Sequence, residues 1–190
     1  MATVVDDAFA FFVTWTTYGT WLPGDPRSHA SNVISDDRRY VSQERRFATP
    51  YTVGDERTLQ RARQLQKDAT ARLDADLALV AAHAIIDACR ERGWRISRGA
   101  LIANHVHCVV MDCPADGPSV RRVLKGVSQA KLCDHAGINR RWWTRGGSNR
   151  PKHGGQAVAA ANDYVENQSE ILVRIAESEV VSNWPPRISR

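Results

Sequence analysis

The stretch that most restricts how this chain can fold is Leu101-Ile102-Ala103-Asn104-His105-Val106-His107-Cys108-Val109-Val110-Met111-Asp112. Apolar residues flank a His-x-His pair. On a β-strand residues i and i+2 share a face, so His105 and His107 are expected side by side while Val106 turns into the core. Two imidazoles on one face can share a metal ion. The same spacing also fits a half-buried strand with incidental histidines, so a third ligand and a reacting group must come from elsewhere.

A second stretch offers both. Ala157-Val158-Ala159-Ala160-Ala161-Asn162-Asp163-Tyr164-Val165-Glu166-Asn167-Gln168 reads as an alanine-rich helix, on which Tyr164 and Gln168, four apart, share a face. A phenol and an amide oxygen then point the same way. Taken singly, Tyr164 fits a core-edge helix tyrosine and Gln168 carries no signal.

His-hydrophobe-His followed by a helix bearing Tyr-x-x-x-Gln resembles the HUH single-tyrosine transposases, the IS200/IS605-like and REP-associated tyrosine transposase group. Thr17-Tyr18-Gly19-Thr20-Trp21-Leu22-Pro23-Gly24-Asp25 and Arg141-Trp142-Trp143-Thr144-Arg145-Gly146-Gly147-Ser148 extend the resemblance over most of the chain. It implies that His105, His107 and Gln168 hold a divalent metal, Mg²⁺ or Mn²⁺, and that Tyr164 attacks single-stranded or hairpin DNA to leave a 5′-phosphotyrosine and a free 3′-OH. It also implies a ferredoxin-like α+β fold, with a central antiparallel sheet whose middle hairpin carries the histidines on its second strand. One departure stands out: REP-associated members usually have Asn-Pro where this chain has Gln168-Ser169. The glutamine is closer to the IS200/IS605 branch, in which a homodimer with exchanged helices is expected, whereas the long extension around Trp21-Leu22-Pro23-Gly24-Asp25 is not typical of that branch's smallest members, so monomer and dimer both stay open.

Charge points to the same kind of partner. The chain carries +5 overall, but between Gly117 and Lys152 nine basic residues face one acid, Asp134, for a net +8, which leaves the rest at −3. Such asymmetry is the footprint of a polyanion. Within it, Arg121, Arg122 and Lys125 fall on the outer face of a helix whose apolar side is Val120, Val123, Leu124, Val127 and Leu132, where phosphate contact and a merely solvated face are both open. Arg140, Arg141, Trp142, Arg145 and Lys152 interleave indole with guanidinium and ammonium, a pairing suited to unpaired bases and their phosphates. Neighbours on a strand face opposite ways, so at least one of Trp142 and Trp143 is expected in the core.

The 190 residues suit one domain, read as spanning 1–190, with an extension at about 19–54 and a short tail at about 179–190. Ala8 to Thr17 reads as a buried first strand, 55–67 and 74–92 as helices, 138–148 as a short strand with a glycine loop, and 155–178 as one long last helix. No apolar run is long enough for a membrane span, and Met1 to Asp7 lacks a secretory pattern, so a cytoplasmic protein is expected. Cys89, Cys108, Cys113 and Cys133 form no Cys-x-x-Cys pair and are expected reduced, with Cys108 packing away from the histidine face. No phosphate-binding glycine loop is present, so coupling to ATP is not indicated.

The chemistry implied is phosphodiester transfer. Two neutral imidazoles and an amide leave a bound cation more positive than a carboxylate cage would. A tyrosine ordinarily titrates near pKa ~10, and the sequence names no dedicated base for it. A reading from another class is a transposase-derived DNA-binding protein that acts in regulation or repair without transposition. A histidine-triad hydrolase is disfavoured because Val109 stands where a third histidine would be needed.

Overall fold

The computed structural model describes residues 8–25, 33–34, 40–41, 55–114 and 116–181. In chain order these form β1 (Phe9–Thr16), β2 (Val33–Ile34), β3 (Tyr40–Val41), α1 (Glu56–Gln64), α2 (Ala75–Arg90), β4 (Arg95–Ile102) and β5 (His105–Met111). They continue with α3 (Gly117–Ala136), β6 (Ser148–His153), α4 (Gly155–Glu166), β7 (Ile171–Ala176) and β8 (Glu179–Val181). Six strands make one antiparallel sheet in the order β6-β1-β5-β4-β7-β8, and β2 pairs only with β3.

The middle of that sheet is the ferredoxin-like arrangement. Strands β1, β4, β5 and β6, with α2 and α3 as crossovers, follow a β-α-β-β-α-β path. The helices start where the chain supplies caps: Asp74 accepts from the Leu77 N–H at 2.9 Å and Asp116 from the Ser119 N–H at 2.9 Å. Gly137, at φ 64°, closes α3 in the left-handed conformation.

Alternation along the central strands divides the molecule into two sides. Val13 and Trp15 of β1 and Val106, Cys108 and Val110 of β5 join the main core beneath α2 and α3, with Ile85, Leu124 and Leu132. Ala10 of β1, Ala100 of β4 and Val109 of β5 face a smaller cluster completed by Val158, Ala161 and Val165 of α4. Cys108 is fully buried in the main core, on the side away from the histidines, and all four cysteines are free thiols.

Three boundaries differ from the sequence reading. The last helix stops at Glu166 rather than near 178, because Ile171-Leu172-Val173-Arg174-Ile175-Ala176 alternates and pairs with β4 as β7. Glu170 enters β7 at φ 54°, and Glu177 and Ser178, both at positive φ, make the two-residue turn into β8. The strand expected at 138–148 lies later, at Ser148–His153, where it pairs with β1 at the sheet edge. An edge accommodates Pro151, which cannot donate to a ladder. The third concerns the terminal segments: residues 179–181 of the expected tail are strand, and 182–190 lie outside the described residues, as does most of the 26–54 extension.

The end of α4 is fastened to the sheet. Arg98 on β4 pairs with Glu166, the last residue of α4, and its Nη1 donates to Glu177 Oε1 at 2.9 Å. Arg95 adds a second ion pair to Glu177 at 2.7 Å. Both guanidiniums are held above their ordinary pKa by these carboxylates, against the opposing effect of burial. Among the described residues no helix is long and apolar enough to cross a membrane.

Candidate active site

The sheet's second side becomes a site where α4 leaves it open. Register places Thr14 of β1 opposite His107 and Thr16 opposite His105, so both histidines face the α4 side, as the i, i+2 argument requires. Their rings are 4.6 Å apart, centroid to centroid. Val158, Ala161 and Val165 seat α4 on the sheet, and Tyr164, one turn past Ala160, projects beside that seam. Its ring meets His107 edge-on, at 5.5 Å and 89°. Phe12 supports both, stacked on His107 at 5.6 Å and edge-on to Tyr164 at 5.6 Å.

Gln168 lies beyond the helix end but reaches the same place. Its Nε2 donates to the Tyr164 carbonyl at 3.0 Å, in the manner of one further helical turn. The amide also interacts with the His105 ring, acting on its pKa against the effect of burial. The structure thus brings together all four residues that the resemblance singled out.

Each imidazole is oriented from behind. His105 Nδ1 lies 2.6 Å from Asn104 Oδ1, an acceptor, so Nδ1 carries the proton and the other nitrogen keeps its lone pair. His107 Nδ1 lies 2.9 Å from Thr14 Oγ1, a partner that can hold the same tautomer. Burial lowers the pKa of both rings: His105 against the opposing effect of its Gln168 contact, and His107, only 5% exposed, to about 3 with help from neighbouring His105. Two neutral imidazoles with a lone pair each, beside an amide, form a donor set that a divalent cation fits. Among the described residues no cluster of three His, Cys, Asp or Glu forms.

These side chains line a cavity of about 620 Å³. Its other walls are Trp21 from the loop after β1, Ala160 and Ala161 of α4, and Ser148, Arg150 and Lys152 from β6. Lys152 holds its ammonium 5.9 Å from the centre of the Phe12 ring. No carboxylate of the described residues lines the cavity. Tyr164 is 52% exposed, so its hydroxyl is open to solvent.

The basic residues expected on nucleic acid divide differently. Of that set only Lys152 lines the cavity. Helix α3 packs on the opposite side of the sheet, and two of its cations are occupied by the protein. Arg121 donates to the Gly147 carbonyl at 2.7 Å and to Asn149. Lys125 Nζ donates to the carbonyls of Thr144, Arg145 and Gly146, while burial and the Arg121 guanidinium push its pKa down to about 8. Arg140 donates to the Ala69 carbonyl and lies over the Trp142 ring at 5.0 Å. Arg141 leans on Asp68 at 3.8 Å and on the Tyr18 ring. Arg122 and Arg145 are exposed.

Trp142 corrects a sequence expectation. Both tryptophans of the pair are core residues, Trp142 4% and Trp143 6% exposed, so Trp142 offers no face to a base. Trp142 lies outside any strand and Trp143 makes only an isolated antiparallel bridge to Thr17, so strand alternation does not sort the two. Trp143 donates to Ser128 Oγ at 3.1 Å and meets Trp15 edge-on. Sequence reasoning passed over Trp21 and Arg150 as site residues; the signal for Arg150 was its i, i+2 relation to Lys152 on one strand.

The Lys125 geometry carries a prediction. Lys125→Met leaves three carbonyls without their ammonium and is expected to cost about 1–3 kcal/mol, read as a lower urea midpoint. Affinity for single-stranded DNA at fixed salt should change by less than about twofold, against the larger loss expected of a residue that holds phosphate.

No protein-family model and no curated protein matches this chain. Among solved structures it is similar to a REP-associated tyrosine transposase bound to a REP hairpin, at 14% identity and a TM-score of 0.42, over 87% of this chain and 68% of that one.

Proposed function

We propose that this protein is a metal-dependent transferase of single-stranded DNA, which cleaves and rejoins strands through Tyr164. The observation that carries the reading is the placement of an exposed phenol against the buried, neutral imidazole of His107, with half-buried His105 beside it, in a cavity that Arg150 and Lys152 line and no carboxylate of the described residues does. A phosphodiester is the kind of group such a cavity accepts: Arg150 and Lys152 complement its charge, and among the described residues no carboxylate lines it.

In this reading the Tyr164 oxygen attacks phosphorus, the bond from phosphorus to the 3′ oxygen breaks, and the protein holds the 5′ phosphate as an ester. The phenol proton leaves to solvent, to which the side chain is open, and the departing 3′ oxygen takes a proton from water. Phosphotyrosine retains the bond energy, so a 3′-OH can reverse the step and rejoin the strands. His105, His107 and Gln168 would hold the metal, Mg²⁺ or Mn²⁺, which when bound supplies Lewis-acid stabilisation of the phosphate oxygens. Phe12 and Thr14 fix the His107 ring and Asn104 the His105 ring. The phenol faces imidazoles of its own chain, so the reading assigns the step to one chain, without the helix exchange implied by the IS200/IS605 resemblance.

The test is incubation with end-labelled single-stranded hairpin oligonucleotides from the DNA flanking the gene, with Mn²⁺, with Mg²⁺ and with chelator. A denaturant-resistant protein–DNA adduct that needs the metal is expected. Tight hairpin binding with no adduct under any condition would instead mark a DNA-binding protein that has lost the chemistry.

Metal binding has its own readout. Thr14→Val keeps the strand-forming shape but removes the hydroxyl behind His107. It is expected to weaken Mn²⁺ affinity roughly 10–100-fold, the usual effect of losing an outer partner of a metal-bound histidine, measured by titration calorimetry. Unchanged affinity would place the metal elsewhere.

A further inference from the structure

Trp21 is a large aromatic residue left 41% exposed on the rim of the cavity, and the reaction as derived above gives it no task. Its loop is built to hold it there. Thr17 sends its backbone N–H to the Asn104 carbonyl at 2.9 Å and its hydroxyl to the same oxygen at 3.2 Å, which ties the start of the loop to the residue before His105. Thr20 Oγ1 closes on the Thr17 carbonyl at 2.8 Å. At the far end Gly24, at φ 83°, lies so close to the backbone of Asp55 and Leu59 at the start of α1 that a Cβ would collide with both. Only glycine allows that approach. The loop that carries this indole is therefore fastened at both ends, one of them to the histidine hairpin.

Across the cavity stands the site-facing row of β6. Arg150 pairs in register with Phe12, and Lys152 with Ala10, so both cations project on the same side as the histidines. No carboxylate pairs with either among the described residues. An aromatic face and cations without carboxylate partners, lining one cavity together with Tyr164, match the alternation of base and phosphate along an unpaired strand.

From this geometry we infer that Trp21, with Arg150, forms a subsite for one unpaired nucleotide adjoining the phosphate that Tyr164 attacks: the indole stacks on the base and the guanidinium holds the neighbouring phosphate. The inference rests on the strand-transfer reading and adds to it the residue that grips the substrate. Stacking tolerates any base, so this subsite selects for a base that is unpaired rather than for its identity.

The experiment uses the full chain carrying Tyr164→Phe, so that binding is read without cleavage, and single-stranded oligonucleotides with one 2-aminopurine moved along the sequence. One position should be quenched on binding. There, Trp21→Ala should restore the fluorescence and weaken binding roughly 5–100-fold, with Trp21→Phe recovering most of the loss. An abasic site at that position should cost affinity with Trp21 present and nothing in Trp21→Ala. Arg150→Gln should weaken binding and flatten its salt dependence by close to one phosphate contact. Unaltered affinity and fluorescence in Trp21→Ala, while the otherwise native protein still forms its metal-dependent adduct, would overturn the subsite alone. Absence of any adduct would overturn the strand-transfer reading and the subsite with it.

Discussion

Tyr164→Phe is expected to lower the rate of adduct formation by roughly 10⁴-fold or more, the scale of losing a nucleophile, while the protein stays folded and keeps its affinity for single-stranded DNA within about twofold. The ring is the part of the side chain that the protein uses for packing, against Phe12 and His107, and phenylalanine retains it. No hydrogen bond to the hydroxyl is formed among the described residues, so its removal leaves no partner unsatisfied. Stability in urea should therefore shift by less than about 0.5 kcal/mol. An adduct that survives the substitution would mean that another nucleophile acts. Equal loss of adduct and of binding would mean that the hydroxyl grips DNA rather than attacks it.

The metal-free protein is expected to lose stability on mild acidification, and His107 should be a main cause. In the unfolded chain this imidazole titrates near its ordinary value of 6.5, whereas burial in the fold pushes it down to about 3. Between those values the unfolded state binds the extra proton, so stability is complete above pH 6.5 and falls as pH drops toward 3. At ~1.36 kcal/mol per pH unit, the step from about pH 6.5 to about 4.5 removes on the order of 2–3 kcal/mol through this one group. Urea unfolding at the two pH values, for the native chain and for His107→Gln, isolates the term, because the carboxylates contribute alike to both. Identical pH dependence in the two proteins would mean that His107 is not buried as a neutral ring.

Much of the site was legible in the residues themselves. His105 and His107 share a face because a strand has period two, and that remains true whatever the strand packs against. Tyr164 and Gln168 were paired by helical spacing, and they do lie together, although the helix ends between them and a hydrogen bond from the Gln168 amide to the Tyr164 carbonyl maintains the spacing. The main core side chains of α2 and α3 followed from their periodicity in the same way.

The rest depended on tertiary structure. Residues 171–176 carry enough apolar character to extend a helix in isolation; β4 offered an open edge, and pairing with it outweighed local preference. Ser148–His153 has proline and charges where a strand should have β-branched residues, and it is a strand only because β1 supplies its hydrogen-bond partners. The charges behaved likewise. Counting nine cations in one segment located a basic stretch, but not which of them the protein would consume: Arg121 and Lys125 hold loop carbonyls on the far side of the sheet, whereas Arg150 and Lys152 face the histidines. The sequence by itself determined which chemical groups the site contains, because period and spacing act locally. The tertiary structure decided which cations and which indole surround them, because the face a side chain presents depends on partners more than a hundred residues away, as β6 depends on β1.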